Sequence, residues 1–243
     1  MIENNKLNNR VSENTNNSNN NSNNNISEDF KNDLQKYLKM AKKGKETKID
    51  KKPQIIVAGR SNVGKSTLVK LITKQNVRIG KKPGVTLKPT KYDMGQYVLV
   101  DLPGFGFMTG LEEKVQDKIK TEIVRYIEDN KDMIAGSIIV IDAKAFPTIV
   151  ERWENKKEIP IDIEIFEFLL ELKLNPSIFI NKMDKIKHNE KDKTLDHIVE
   201  LFGFPPPWRQ WITEDITIGI LKNGEGLNEI IHKINNNVSK FKK

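Results

Sequence analysis

Eight consecutive residues, Gly59, Arg60, Ser61, Asn62, Val63, Gly64, Lys65 and Ser66, read G-x-x-x-x-G-K-S. Glycines at both ends let the backbone turn its N–H groups inward, where they can surround the oxygens of an anion. Lys65 adds a mobile positive charge, and Ser66 offers a hydroxyl to a hard cation such as Mg²⁺. The pattern needs a strand before it and a helix after it. Residues 54–58 form a short apolar, β-branched run, and from Thr67 to Ile72 the apolar residues recur at helical spacing. A helix N-terminus then puts partial positive charge where a phosphate would sit. The spacing predicts a nucleotide phosphate loop over 59–67, the alternative being a chance glycine turn before a helix.

Three further stretches belong with this loop only because of their order. Asp101-Leu102-Pro103-Gly104 reads D-x-x-G at the end of a predicted strand. Asp101 can hold Mg²⁺ through a water, and Gly104 can turn a backbone N–H toward a terminal phosphate and so sense its presence. Alone, this motif would be an ordinary turn. Thr86, in the loop Lys82-Pro83-Gly84-Val85-Thr86, lies between the two motifs. It can reach the same Mg²⁺ when a terminal phosphate orders the loop. Asn181-Lys182-Met183-Asp184 reads N-K-x-D after a buried apolar run. Two carboxylate oxygens on Asp184 suit the N1–H and exocyclic amine of guanine, a donor pair adenine lacks, and the Lys182 stem can lie over the base. A last base-contacting loop is expected at Ile220, Leu221 and Lys222, through backbone N–H groups. Lys65, Thr86, Gly104 and Asn62 are the candidate catalytic residues; Ser66, Thr86 and Asp101 are the candidate Mg²⁺ ligands.

The elements that must position these groups follow from periodicity. Strands are expected at 54–58, 91–94, 96–100, 137–141, 177–180 and 216–220, with the second and third forming a hairpin near Gly95. Helices are expected after the phosphate loop and at 112–129, 161–173, 190–202 and from Leu227 onward. A flexible loop is expected over 102–106. Alternating strands and helices predict an α/β fold with a mostly parallel six-stranded sheet and helices on both faces. Ligand loops then lie at the carboxyl ends of the strands, where every motif falls. Residues 1–26 are mostly polar, with 13 asparagines in the first 25. Such a segment cannot bury enough apolar surface to offset its ordering entropy, so a disordered tail is expected. A short amphipathic helix and a basic linker are expected over 27–52, and the nucleotide-binding domain over 53–243.

Composition narrows the classes further. The chain has 243 residues, no cysteine and a net charge of +8. Without cysteine there is no disulfide, zinc–thiolate site or thiol nucleophile, which fits a cytoplasmic protein. No apolar run is long enough to span a bilayer. The positive excess favours an anionic partner such as nucleic acid, or else is a solvated basic surface. His188, His197 and His232 lack metal-ligand spacing. Trp153, Trp208 and Trp211 read better as packing against loops than as base-stacking platforms.

Taken together, Gly59–Ser66, Lys82–Thr86, Asp101-Leu-Pro-Gly-Phe-Gly106 and Asn181–Asp184 resemble the EngB (YihA) family of Ras-like P-loop GTPases. Glu151-Arg152-Trp153-Glu154, Ile159-Pro160-Ile161-Asp162 and Pro206-Pro207-Trp208-Arg209 resemble its archaeal branch. The resemblance implies a GTPase that cycles between GTP and GDP with Mg²⁺, acts in large-ribosomal-subunit assembly on the subunit or its rRNA, and carries a family association with cell division and septation. No DNA specificity, no membrane association and a monomer are expected. A switch acting only through protein partners is the alternative; a metabolic P-loop kinase is disfavoured by N-K-x-D. Where the family usually has Ser-Ala or Ser-Ser, this chain has Ile220-Leu221. Phe105 stands where many Ras-like GTPases carry a water-orienting glutamine, so intrinsic hydrolysis is expected to be slow. Asn62 matches an asparagine implicated as a K⁺ ligand in related potassium-activated GTPases; the plainer reading is that it stabilises its own loop.

Overall fold

Three central strands, β1 (Gln54–Gly59), β4 (Ile134–Asp142) and β5 (Pro176–Asn181), are buried along their whole length. Continuous burial is what a parallel strand covered on both faces requires, and it explains why these runs are apolar rather than alternating. The computed structural model describes residues 51–75, 88–105, 113–212 and 215–241. The expected tail over 1–26, the expected helix before residue 50, and Gly84, Val85 and Thr86 lie outside the described residues. So do Lys82, Pro83 and Gly106.

The sheet has six strands in the order β2-β3-β1-β4-β5-β6, where β2 is Thr90–Asp93, β3 is Val98–Asp101 and β6 is Ile216–Ile218. Only the β2–β3 pair is antiparallel; the other four neighbour pairs are parallel. The hairpin turns at Gly95, whose φ of 83° favours glycine and whose N–H donates to Asp93 Oδ1 at 2.9 Å. Helices α1 (Lys65–Thr73), α2 (Glu113–Asn130), α4 (Ile161–Glu171), α5 (Lys191–Leu201) and α6 (Leu227–Lys240) fall where periodicity places them, within a few residues.

Two elements differ from expectation. Helix α3 (Ala145–Glu154) is not anticipated by the pattern, because Pro147 interrupts the apolar residues Phe146, Ile149 and Val150. Proline is tolerated in a helix's first turn, whose N–H groups have no intrahelical partner. The last strand ends at Ile218 rather than at Ile220. A Cβ at Gly219 would lie 2.2 Å from the Glu225 carbonyl oxygen, and Ile220 instead bridges Glu225 in the antiparallel sense. The chain therefore leaves the sheet two residues early.

One face of the sheet packs Ile55, Val57, Leu99, Val140 and Phe179 against Leu68, Val69 and Ile72 of α1 and Ile230 and Ile234 of α6. The alternate side chains, Ile56, Ala58, Ile139, Ile141, Ile178 and Ile180, are equally buried, and α3 and α4 lie against β4 there. An aromatic layer follows: Phe146 stacks on Phe202 at 4.9 Å, and Phe166 meets Phe202 edge-on at 5.1 Å. Trp208 is buried beside this end, its indole N–H donating to Asp192, so it packs rather than presenting a stacking platform. No helix among the described residues is long and apolar enough to cross a membrane.

Phe166→Ala should lower the unfolding free energy by about 3–5 kcal/mol, the range for deleting a fully buried aromatic ring. Urea denaturation followed by circular dichroism measures it; an unchanged midpoint would place Phe166 outside the core.

Candidate functional site

Parallel register brings four strand ends to one edge. Val57 faces Asp101, Gly59 faces Val140, and Asp142 faces Asn181 across neighbouring strands. The motifs therefore meet because the sheet is parallel, not because they are near in sequence.

The phosphate loop leaves β1 at Gly59 and enters α1 at Lys65. A Cβ at Gly59 would stand 2.6 Å from the Val140 carbonyl oxygen. At Gly64, φ is 111° and a Cβ would stand 2.2 Å from Asn181 Nδ2, so both the backbone and the neighbour demand glycine. Asn62 has φ 69°, a conformation asparagine tolerates, and its side chain is exposed. Val63 is buried in the core, while Ser61, Ser66 and Thr67 are half-buried. The Lys65 ammonium is largely buried and contacts the Asp101 carboxylate, which brings the D-x-x-G acid onto the mouth of the loop.

The expected flexible loop after Asp101 is anchored over its described part. Leu102 donates its N–H to Val57 O at 3.0 Å, Ser61 donates to Phe105 O at 3.0 Å, and Leu102, Pro103 and Phe105 are buried. Gly104 lies against Ser61. The Phe105 ring is 1% exposed. Its place in the sequence is that of a water-orienting group, but its side chain is core, because the backbone bridge to Arg60 turns it inward.

Asn181 ties the two halves of the site together. Its Nδ2 donates to Val63 O at 2.7 Å, and its Oδ1 accepts from the Leu221 N–H at 3.0 Å. Of the three amides expected to face a base, that of Leu221 is thus committed to Asn181, and that of Ile220 donates to Glu225 O at 3.2 Å. The Lys222 N–H has no hydrogen-bond partner among the described residues, which leaves it free for an external acceptor. The Leu221 side chain belongs to the core, which accounts for an apolar residue there. Met183 is buried, and Asp184 is exposed in a 3₁₀ turn, Met183–Lys185, with no partner among the described residues. Both of its oxygens are available to a pair of donors.

Asp142, which the motifs do not single out, sits at the centre of this network. Its Oδ2 accepts from Lys182 at 2.7 Å and Lys185 at 3.2 Å; its Oδ1 accepts from the Lys144 and Ala145 amides that open α3. Burial opposes its ionisation, yet the Lys182 ammonium, the Ala145 amide and Lys185 hold its carboxyl below the ordinary value. Lys182 also donates to the Asn62 carbonyl, so Asp142 orients the lysine that grips the phosphate loop. The available sequence signal was an acid directly after an expected buried strand, 137–141.

A second buried pair flanks the same loop: Arg60 Nη1 donates to Asp162 Oδ2 at 3.2 Å. Burial pushes the Asp162 carboxyl up to about 6, against the pull of Arg60. A cleft of about 290 Å³ lies between, lined by Arg60, Asn62, Asp142, Phe146, Asp162 and Lys182 among others. No group of three or more His, Cys, Asp or Glu able to hold a metal occurs among the described residues. The hydroxyl of Ser66 and the carboxylate of Asp101 nonetheless suit Mg²⁺, which takes one or two protein oxygens and fills the rest of its shell with water and phosphate.

Asp142→Ala should weaken binding of guanosine di- and triphosphate by a similar factor of roughly ten to a hundred, since losing hydrogen bonds to a charged group costs about 1.5–3 kcal/mol. Titration with fluorescent analogues of both nucleotides checks it; an effect confined to the triphosphate would mean that Asp142 acts on the terminal phosphate instead.

Comparison with known proteins accords with this geometry. The sequence profile of the family described as 50S ribosome-binding GTPase matches residues 54–182. A protein of Methanococcus aeolicus named probable GTP-binding protein EngB is 76% identical over 208 residues, covering 86% of this chain and 92% of the relative. Its namesake in Methanopyrus kandleri is 49% identical over 191 residues, 77% of this chain and 93% of the relative. The crystal structure of a probable GTP-binding protein engB superposes with a TM-score of 0.68 at 41% identity, covering 77% of this chain and 99% of that one. With the profile over half of the chain and these relatives aligned over most of both lengths, the chain belongs to the EngB family of GTP-binding proteins and is a P-loop GTPase.

Proposed function

We propose that this GTPase is a Mg²⁺-dependent switch in the assembly of the large ribosomal subunit, docking on the subunit or its rRNA as a cytoplasmic monomer. One observation carries the site assignment: Asn181 joins the phosphate loop to the Leu221 loop while the Asp184 carboxylate stays uncommitted beside them. On this reading Gly59–Ser66 and Thr67 cradle the phosphates, Lys65 reaches the outer ones, and Gly104 and Gly84–Thr86 respond to the terminal one. Ser66, Asp101 and Thr86 hold Mg²⁺, which neutralises charge on the phosphates. Asp184, the Lys182 stem and the Lys222 amide read guanine. The ribosomal reading is supported by the family profile's description and by the net charge of +8.

Asp184→Asn exchanges one acceptor for a donor, which matches the C2 carbonyl of xanthine in place of guanine's amine. Binding should weaken for GTP and strengthen for XTP; a retained strong preference for GTP would remove Asp184 from base recognition.

Sedimentation with large-subunit precursors should depend on nucleotide and fall as salt rises, because phosphate contacts release counterions. Equal sedimentation with and without nucleotide, or none at low salt, would favour a switch that works through protein partners alone.

Hydrolysis should be slow, since the buried Phe105 ring supplies no group to orient water. On this reading the Asn62 carboxamide, exposed at the phosphate loop, helps to hold K⁺ against charge developing during phosphoryl transfer. Turnover in KCl should then exceed that in NaCl for wild type, with the gain lost in Asn62→Ala. Equal turnover in the two salts, alone and with the subunit, would remove the cation from the mechanism.

A further inference from the structure

Arg60 occupies the second position of the phosphate loop, where the loop's own function needs only backbone. Its side chain nevertheless turns away to meet Asp162, 102 residues later, in the first turn of α4. The side chains are 9% and 0% exposed. The contact is a single one, and Asp162 Oδ1 has no hydrogen-bond partner. A buried ion pair with a half-satisfied carboxylate is a poor source of stability, and apolar pairs of similar volume commonly serve as well or better. The upward displacement of the Asp162 carboxyl agrees, since the fold disfavours the charged form. Stability therefore does not account for the pair.

Position does. Gly59, Arg60 and Ser61 carry the Asp101–Phe105 segment on their main chain: Arg60 bridges Phe105, Phe105 donates to Gly59 O at 3.4 Å, and Ser61 donates to Phe105 O at 3.0 Å. The same three residues begin the phosphate loop. Whatever fixes Arg60 fixes the offset between that loop and Gly104, the two groups that must close on the terminal phosphate from different sides. Asp162 fixes it from α4.

We infer that Asp162 is a positioning residue that, through Arg60, sets the phosphate loop and the Gly104 segment in register for GTP hydrolysis. The inference rests on the site assignment of the preceding section. Misplacing a phosphoryl-transfer site by a fraction of an ångström lowers turnover far more than ground-state binding. Guanosine diphosphate lacks the terminal phosphate, so its affinity depends little on this offset.

Arg60→Met, Asp162→Leu and the double variant test it. Each single change leaves a buried charge without its partner and should lower the melting temperature; the double variant should recover most of that loss. In the double variant kcat should fall by roughly ten-fold or more, a larger factor than any loss of guanosine diphosphate affinity. If the single variants do not fold, the double variant carries the result. A double variant with wild-type kcat, or one whose kcat and diphosphate affinity fall in step with its melting temperature, overturns the inference and leaves the pair as packing. Failure of the wild-type protein to bind guanosine diphosphate would instead strike the site assignment.

Discussion

The Asn181 carboxamide accepts from one loop and donates to another, and the geometry of the site hangs on it. Its two hydrogen bonds, to Val63 O and from Leu221 N–H, are buried, so neither can be exchanged for water without cost. Each fixes a loop that would otherwise be set only by its ends. The constraint reaches back into the sequence: Gly64 has no room for a Cβ because the Asn181 amide stands where one would be. Three segments far apart in the chain are thus set by one side chain, and that side chain is placed by the last residue of a wholly buried strand.

Charge reinforces this arrangement from the side of the phosphate loop that faces α3 and α4. Lys182 holds the Asn62 carbonyl, Asp142 holds Lys182, and the amides opening α3 hold Asp142. Arg60, two residues before Asn62, is held by Asp162 of α4. The outward groups of the loop, the Asn62 carbonyl and the Arg60 guanidinium, are thus engaged within the protein itself. A cradle of amides is useful only if it does not have to reorganise when the anion arrives, and these outer contacts supply that rigidity.

Much of this was legible in the sequence, and the limits have physical causes. The four motifs announce themselves because each needs particular residues at fixed spacing, and the buried strands because they are continuous apolar runs. Helix α3 was hidden by Pro147, which breaks periodicity without breaking the first turn. The early end of β6 depends on the close approach of Gly219 to Glu225, a long-range fact with no local signature. Asp142 and Asp162 were illegible as network members because their partners lie 40 and 102 residues away. A single acidic residue carries no hint of a distant cation.

Two of the positions that depart from the residues expected of a Ras-like GTPase, Phe105 and Leu221, have the same explanation. Both side chains are buried in the core, and both contribute to the site region only through backbone: Phe105 by its bridge to Arg60, Leu221 by its N–H to Asn181. An apolar side chain at such a place anchors the loop that carries the working amides. It fixes their direction by packing, which is stiffer than a solvent-exposed hydroxyl or amide could provide. The trade is specific. Loop geometry is secured, while the side-chain chemistry that a polar residue would have brought to hydrolysis must come from elsewhere.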